Sequence, residues 1–71
     1  MAYKRGDNVV VVAGKDAGRR ATVVAGFEDL FPGLYGDGAR IRFDDGGPTN
    51  HPTVEQSGAE RDYGARMLEK V

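Results

Sequence analysis

Two short apolar runs separated by a polar loop lie near the start of the chain. The first is the four valines at residues 9–12, and the second is residues 21–25. β-Branched side chains favour strands over helices, and the loop between the runs, residues 14–20, carries glycine at both hinges. The pattern predicts an antiparallel hairpin. Because every position of the first strand is apolar, we expect it to be covered on both faces or to bend between two layers of a barrel.

Apolar and arginine side chains alternate over residues 39–43, as in a half-buried third strand. The two aspartates and two glycines at residues 44–47 predict a sharp turn after it. Prolines flank the next segment and favour irregular structure there. Only residues 53–55 are predicted to form a short fourth strand. Before the third strand lies a loop rich in glycine, in which residues 28–31 predict a single helical turn.

The last fifteen residues support two interpretations. Ser57 and Glu60 have the spacing of a helix capping box. Apolar residues then recur at every fourth position, as on one face of a C-terminal helix: Ala59, Tyr63, Met67 and Val71. Gly64 interrupts this pattern, and the alternative is one turn over residues 59–63 followed by a closing strand over residues 65–70. The second interpretation is preferred, because a five-stranded barrel needs a last strand to cover its open edge.

The composition is that of one small folded domain. The chain has 71 residues, of which 39% are hydrophobic and 30% charged, with eleven glycines and no cysteine. Many glycines suit short strands joined by tight turns. A domain of this length buries only about 60% of the surface of its unfolded chain. It has little room for a deep catalytic cavity, which favours a binding module. We expect a single domain over residues 1–71.

Charge is unevenly spread along the chain, although the net charge is −1. Five basic residues stand against two acidic ones through residue 26, and five stand against nine in the remainder. A nucleic-acid site would therefore be local and close to the N-terminal hairpin. No apolar run approaches the roughly 20 residues of a membrane helix, and no apolar signal-peptide core follows the first residues. We expect a soluble cytoplasmic protein with no membrane partner.

Residues 4–24 resemble a KOW motif. That pattern is Gly-Asp, alternating valines, a glycine, a charged pair, a second glycine, basic residues, a third glycine and a valine. The Ala-Gly-Lys-Asp-Ala-Gly-Arg stretch at residues 13–19 is especially similar to the version in a large-subunit ribosomal protein. The motif also occurs in the C-terminal domain of NusG-type elongation factors. The resemblance implies an all-β fold, a small five-stranded SH3-like barrel that begins with a KOW-type hairpin.

The sequence departs from the KOW pattern at Ala21, where the family usually has its third glycine. Alanine there implies a slightly different hairpin, or a site that is no longer held to RNA contact. Unlike the ribosomal protein, the chain is not strongly basic. Residues 40–46 instead resemble the third strand and turn of Tudor-like SH3 barrels. The resemblance therefore supports the fold more than any one ligand, since fold alone does not fix function.

Basic residues of the hairpin are the candidate contacts to nucleic acid, either RNA or DNA. Lys15, Arg19 and Arg20 are positioned to bind phosphates from the first loop, and Lys4 and Arg5 precede the first strand. The alternative is that the first-loop residues only form a charged loop exposed to solvent. The spacing is not that of a Walker P-loop. Together with the KOW resemblance, these residues predict a module that binds nucleic acid, a ribonucleoprotein or a transcription complex.

A second hypothesis is a protein–protein interaction module, of regulatory or phage structural type, and the acidic second half of the chain favours it. Its candidate contacts are Phe31, Leu34 and Tyr35 of the second loop, because aromatic residues are enriched at interfaces. The alternative for these rings is that they cap the barrel core.

No arrangement of residues predicts catalysis or a cofactor. The chain has one histidine, His51, and its aspartates do not have the spacing of an EF-hand or a zinc site. Asp44 and Asp45 are adjacent in a predicted turn, which is a more ordinary role than acid–base chemistry. We expect a non-enzyme without metal or small-molecule cofactor.

Overall fold

Five strands dominate the computed structural model, which describes residues 3–30 and 37–71. They are β1 (Asn8–Val11), β2 (Arg20–Gly26), β3 (Gly38–Phe43), β4 (Glu60–Gly64) and β5 (Leu68–Lys70). A short helix, α1 (Phe27–Leu30), follows β2, and a 3₁₀ turn (Ala65–Met67) joins β4 to β5. All pairings are antiparallel, in the order β4-β3-β2-β1-β5. The predicted all-β class with five strands is confirmed.

The predicted hairpin is formed by β1 and β2, with Val9 opposite Ala21. Gly14 and Gly18 have φ angles of +81° and +90°, which side chains with a Cβ rarely adopt. Both hinges of the loop therefore need glycine. Ala21, at the position of the family's third glycine, is completely buried. Its methyl group fills part of the core, and the hairpin forms without a glycine there.

Of the two alternatives given for the valine run, coverage on both faces is wrong. Val9 and Val11 are completely buried, Val10 is half-buried, and Val12 is 41% exposed after the strand has ended. One face of the sheet packs on the core while the other contacts solvent, so successive side chains alternate in burial. Here the alternation is set by the sheet, because all four side chains are the same.

The core lies on the inner face of the bent sheet. Ile41 and Phe43 of β3 are 0% and 1% exposed, as the alternation of residues 39–43 predicts. The other buried apolar side chains come from all five strands and from the segment before β1: Tyr3, Val9, Val11, Ala21, Val23, Ala39, Tyr63 and Leu68. Burial of these side chains is the main term that stabilises the domain.

The fourth strand lies later in the chain than the sequence suggests. Residues 53–55 form no strand, with a bend at residues 54 and 55, and β4 instead pairs with β3 from Glu60 opposite Arg42 to Gly64 opposite Gly38. The capping-box helix and the turn over residues 59–63 are therefore both wrong. Pairing along β3 satisfies the hydrogen bonds of a full row of backbone groups. This stabilisation outweighs what a helix would gain from a few apolar side chains on one face.

The predicted closing strand is confirmed in part. Residues 65–67 form the 3₁₀ turn, and only Leu68–Lys70 pairs with β1, with Leu68 opposite Val11. The predicted helical turn at residues 28–31 corresponds to α1, Phe27–Leu30. Within the described residues, no helix is long and apolar enough to cross a membrane.

Candidate nucleic-acid interface

A buried carboxylate organises the first loop. Asp16 is 1% exposed, although it lies in a polar loop between two strands. Its Oδ2 accepts hydrogen bonds from Thr49 Oγ1 and from Tyr63 Oη, the latter at 2.8 Å. Its Oδ1 accepts from the backbone N–H of Asn50 and from Arg19 Nη1, both at 2.8 Å. Four donors from three parts of the chain thus surround one carboxylate and fix the loop.

These donors keep Asp16 ionised. Burial alone would raise its pKa, but the hydrogen bonds from Thr49, Asn50, Arg19 and Tyr63 outweigh it, and the pKa lies well below its usual range. The pKa of the Tyr63 hydroxyl is raised, first by burial and then by its bond to Asp16. Tyr63 therefore remains a donor at neutral pH, and the network has one charge state.

Arg19 is held inside the protein rather than extended into solvent. Its side chain is 16% exposed, and its guanidinium carbon lies 3.8 Å from the centroid of the Phe43 ring. The two terminal nitrogens donate to four acceptors: Asp16 Oδ1, Asp45 Oδ1 and the carbonyl oxygens of Gly47 and Pro48. The guanidinium thus joins the first loop to the turn after β3, and these bonds leave it little capacity to reach a phosphate.

Lys15 and Arg20, by contrast, are exposed at the same end of the hairpin. Lys15 lies in the loop itself, and its carbonyl oxygen accepts from Asn50 Nδ2 at 3.5 Å. Arg20 begins β2 opposite Val10, which also pairs with Glu69 of β5. Paired residues of a sheet share a face, so Arg20 lies on the outer face in a row that ends in a carboxylate. That face is mixed in charge.

Lys4 and Arg5 lie at the other end of the hairpin, in a turn before β1. The Asp7 N–H donates to Lys4 O at 3.0 Å, and the Lys4 N–H donates to Asp7 Oδ2 at 2.9 Å. The four residues of β1 separate this turn from the first loop by about 13 Å. Four of the predicted basic residues are therefore exposed, two at each end of the hairpin, whereas Arg19 is directed into the protein.

Phe31, Leu34 and Tyr35, the predicted partner-binding residues, lie outside the residues that the structure describes. Their role in binding a protein stays a prediction.

A cleft of about 430 Å³ lies beside the first loop, and no pattern in the sequence predicted it. Lys15 borders it on the loop side, Arg61 and Tyr63 on the β4 side, with His51 and Met67 completing the wall. Residues 59–63 were expected to be a turn or a helix, so nothing placed Arg61 next to the loop. The alternation of Arg61 and Tyr63 with acidic residues was the available signal for a strand.

Over residues 3–30 and 37–71, His51 and the acidic side chains form no group of three that could hold a metal ion. Asp44 accepts a hydrogen bond from Thr22 Oγ1 at 2.8 Å, and Asp45 bonds Arg19 and the Gly47 N–H. Both aspartates stabilise the turn, as the sequence suggested.

The family model of the KOW motif matches residues 5–25. The matched segment contains the turn with Arg5, all of β1, the first loop and most of β2. The resemblance seen in the sequence is thereby confirmed for this segment, and the motif is typical of small non-catalytic binding modules. No curated protein and no solved structure matches the chain.

Proposed function

We propose that this domain is a non-catalytic module that binds RNA, free or within a ribonucleoprotein, through the exposed basic residues of its N-terminal hairpin. The observation that carries the proposal is the KOW motif at residues 5–25, because such motifs are commonly found in RNA-binding modules. The loop of this motif is fixed by the buried Asp16, so that Lys15 is presented on a rigid backbone. Preorganisation of this kind lowers the entropic cost of binding.

The charge distribution supports a small, local contact. Lys15 and Arg20 lie at one end of the hairpin and Lys4 and Arg5 at the other, and no ion pair joins any of the four to an acid among the described residues. Since the whole chain has a net charge of −1, attraction by bulk charge is weak. We therefore expect two to four phosphate contacts and a correspondingly shallow salt dependence.

Fluorescence anisotropy with a labelled single-stranded RNA tests the proposal. The double variants Lys15→Gln/Arg20→Gln and Lys4→Gln/Arg5→Gln should each weaken binding, about equally across RNA sequences. Each should flatten the slope of log affinity against log salt by roughly 0.7 per lost contact. Arg42→Gln is the matched control, because Arg42 is an exposed arginine on β3 outside the KOW motif. Equal affinity of both double variants and the control would contradict the proposal.

A further inference from the structure

Arg61 has unused capacity to donate hydrogen bonds. In β4 it pairs with the buried Ile41, and its guanidinium carbon lies 5.8 Å from the centroid of the Tyr63 ring. Among the described residues the guanidinium donates from Nη1 to Gln56 Oε1 at 3.3 Å, and it also interacts with the Tyr63 hydroxyl, where it acts to lower the Tyr63 pKa. Its Nε is buried with no acceptor among these residues. A guanidinium carries five N–H donors, and leaving them unpaired when partly buried is unfavourable.

One carboxylate, Asp62, lines the cleft itself, and it is already paired with an arginine, as is Asp16 of the first loop. Asp62 binds Arg40, with Nε to Oδ1 at 2.8 Å and Nη2 to Oδ2 at 3.2 Å. Asp16 accepts a single bond from Arg19, from Nη1 to Oδ1 at 2.8 Å. Within the part of the chain that the structure describes, neither Lys15 nor Arg61 forms an ion pair. The charge left at the cleft is therefore positive, and an anion would satisfy it.

Part of the cleft lining is apolar. Ala13 and Met67 contribute to it together with the buried ring of Tyr63. The terminal methyl group of Met67 lies close to Gly14, only 3.3 Å from where a Cβ would stand, so the thioether crosses from the 3₁₀ turn to the first loop. The volume of about 430 Å³ is in the usual range for ligand sites. The cleft thus combines two cations with an apolar surface.

We propose that this cleft holds one nucleotide of a bound single-stranded RNA, with a phosphate on Lys15 and Arg61 and the base against Met67 and Ala13. The inference rests on the proposed function and extends it to a specific subsite. A nucleotide joins an anionic group to a flat apolar one at the scale of the cleft, whereas an acidic side chain would use only the cationic end. Thioether and guanidinium groups are both suited to contact with a base face.

The affinity of the full chain for a uridine pentanucleotide tests the subsite. Arg61→Gln should weaken binding about tenfold, because it removes a charged hydrogen-bonding partner of the phosphate. Met67→Ala should weaken binding about threefold to tenfold through lost contact with the base. The control Arg42→Gln removes the same charge as Arg61→Gln from an arginine that does not line the cleft, and it should change affinity by less than about twofold.

A titration of the unaltered protein with uridine monophosphate, followed by amide NMR, needs no variant. Amides of Gly14, Lys15 and Gly64 should shift with the nucleotide, and more weakly with inorganic phosphate. If the protein binds the pentanucleotide but Arg61→Gln and Met67→Ala behave like Arg42→Gln, the subsite is overturned while RNA binding stands. If the unaltered protein binds no RNA, the proposed function fails and the subsite fails with it. Amide shifts confined to the turn before β1 would also overturn the subsite.

Discussion

Tyr63 Oη donates a hydrogen bond of 2.8 Å to Asp16 Oδ2, and the two residues are 47 positions apart in the chain. Both are buried, so the bond fixes the first loop against β4 where solvent cannot compete. Local sequence sets the glycine hinges of the loop, but its position over the barrel depends on this long-range contact. The loop of the KOW motif and the fourth strand therefore form one structural unit.

Asp16→Ala should strongly destabilise the domain. The change leaves the Tyr63 hydroxyl, the Asn50 N–H and part of the Arg19 guanidinium without their acceptor. Breaking a buried charged pair by removing one partner costs about 3–5 kcal/mol. Urea denaturation monitored by circular dichroism measures this loss. Glu69→Gln is the control, because Glu69 is an exposed acid, and it should change the free energy of unfolding by less than about 0.5 kcal/mol.

Tyr63→Phe separates the hydrogen bond from the rest of the network. It keeps the buried ring and removes one of four donors to Asp16, so it should cost about 1.5–3 kcal/mol, less than Asp16→Ala. In Asp16→Ala the hydroxyl has already lost this acceptor, so the two changes should not be additive. Additive losses in the double variant would show that the two side chains stabilise the fold independently.

Stability should fall in acid, and Asp16 should account for much of the fall. Its pKa is lowered in the folded protein, so the unfolded chain binds more protons as the pH approaches the unfolded value of about 3.9. The contribution of Asp16 is therefore complete near neutral pH and is lost progressively below about pH 5. Asp7 and Asp45, whose pKa values are also lowered, add smaller terms because both are at the surface.

Free energies of unfolding at pH 7, 5, 4 and 3 would check this pH dependence. Asp16→Asn cannot titrate, so its stability should vary less with pH than that of the unaltered protein. The difference between the two proteins should shrink as the pH falls. Parallel pH profiles would show that other carboxylates cause the acid sensitivity.

Ile41→Ala should cost about 2–5 kcal/mol, since it creates a cavity in a small core. Ile41 is completely buried in the middle of β3, opposite Val23 on one side and Arg61 on the other. Thermal unfolding of the variant measures the effect. Val54→Ala is the matched control, because Val54 is fully exposed, and it should leave the melting temperature nearly unchanged. A loss under about 0.5 kcal/mol for Ile41→Ala would show that the core repacks around the smaller side chain.

The hairpin and β3 were predictable from sequence because their signals are local. β-Branched runs, glycine hinges and the alternation at residues 39–43 each specify structure within a few positions. The strand β4 had only a short local signal, the alternation of Arg61 and Tyr63 with acidic residues, and it competed with a helical pattern. Ser57 and Glu60 have capping-box spacing, and Tyr63 and Met67 have helical spacing, yet β3 offers an unpaired edge that only a strand can satisfy. That edge is a property of the folded sheet.

The candidate site likewise has residues whose position the local sequence predicts and residues whose position it does not. Lys15 was predicted to be an exposed cation on the first loop, and the structure places it there. Arg19 was predicted to bind phosphate from the same loop, but Arg19 and Asp16 have partners that are distant in the chain: Asp45, Pro48, Thr49 and Tyr63. Contacts across 26 to 47 positions leave no local pattern, so burial of this charged pair could be found only in the folded structure.

Arg19→Lys should destabilise the domain, while Lys15→Gln should not. Lysine keeps the positive charge but lacks the planar fork that reaches four acceptors and covers the Phe43 ring. Several of these acceptors would lose their donor, at a cost of about 1–3 kcal/mol. For a domain of 71 residues, that loss lowers the melting temperature by about 5 °C or more. Lys15 is exposed and forms no ion pair among the described residues, so its replacement should leave the melting temperature within about 2 °C.

The same two substitutions should have the opposite order of effect on RNA affinity, with Lys15→Gln the more harmful. Measured below the melting temperature of both variants, Lys15→Gln should weaken binding, whereas Arg19→Lys should retain it, because the bonds of Arg19 are directed into the protein. A variant Arg19→Lys that stays as stable as the unaltered protein but loses RNA would reverse this assignment. Arg19 would then contact phosphate directly, as the basic residues of the first loop suggested, and its bonds to Asp16 and Asp45 would contribute little to stability.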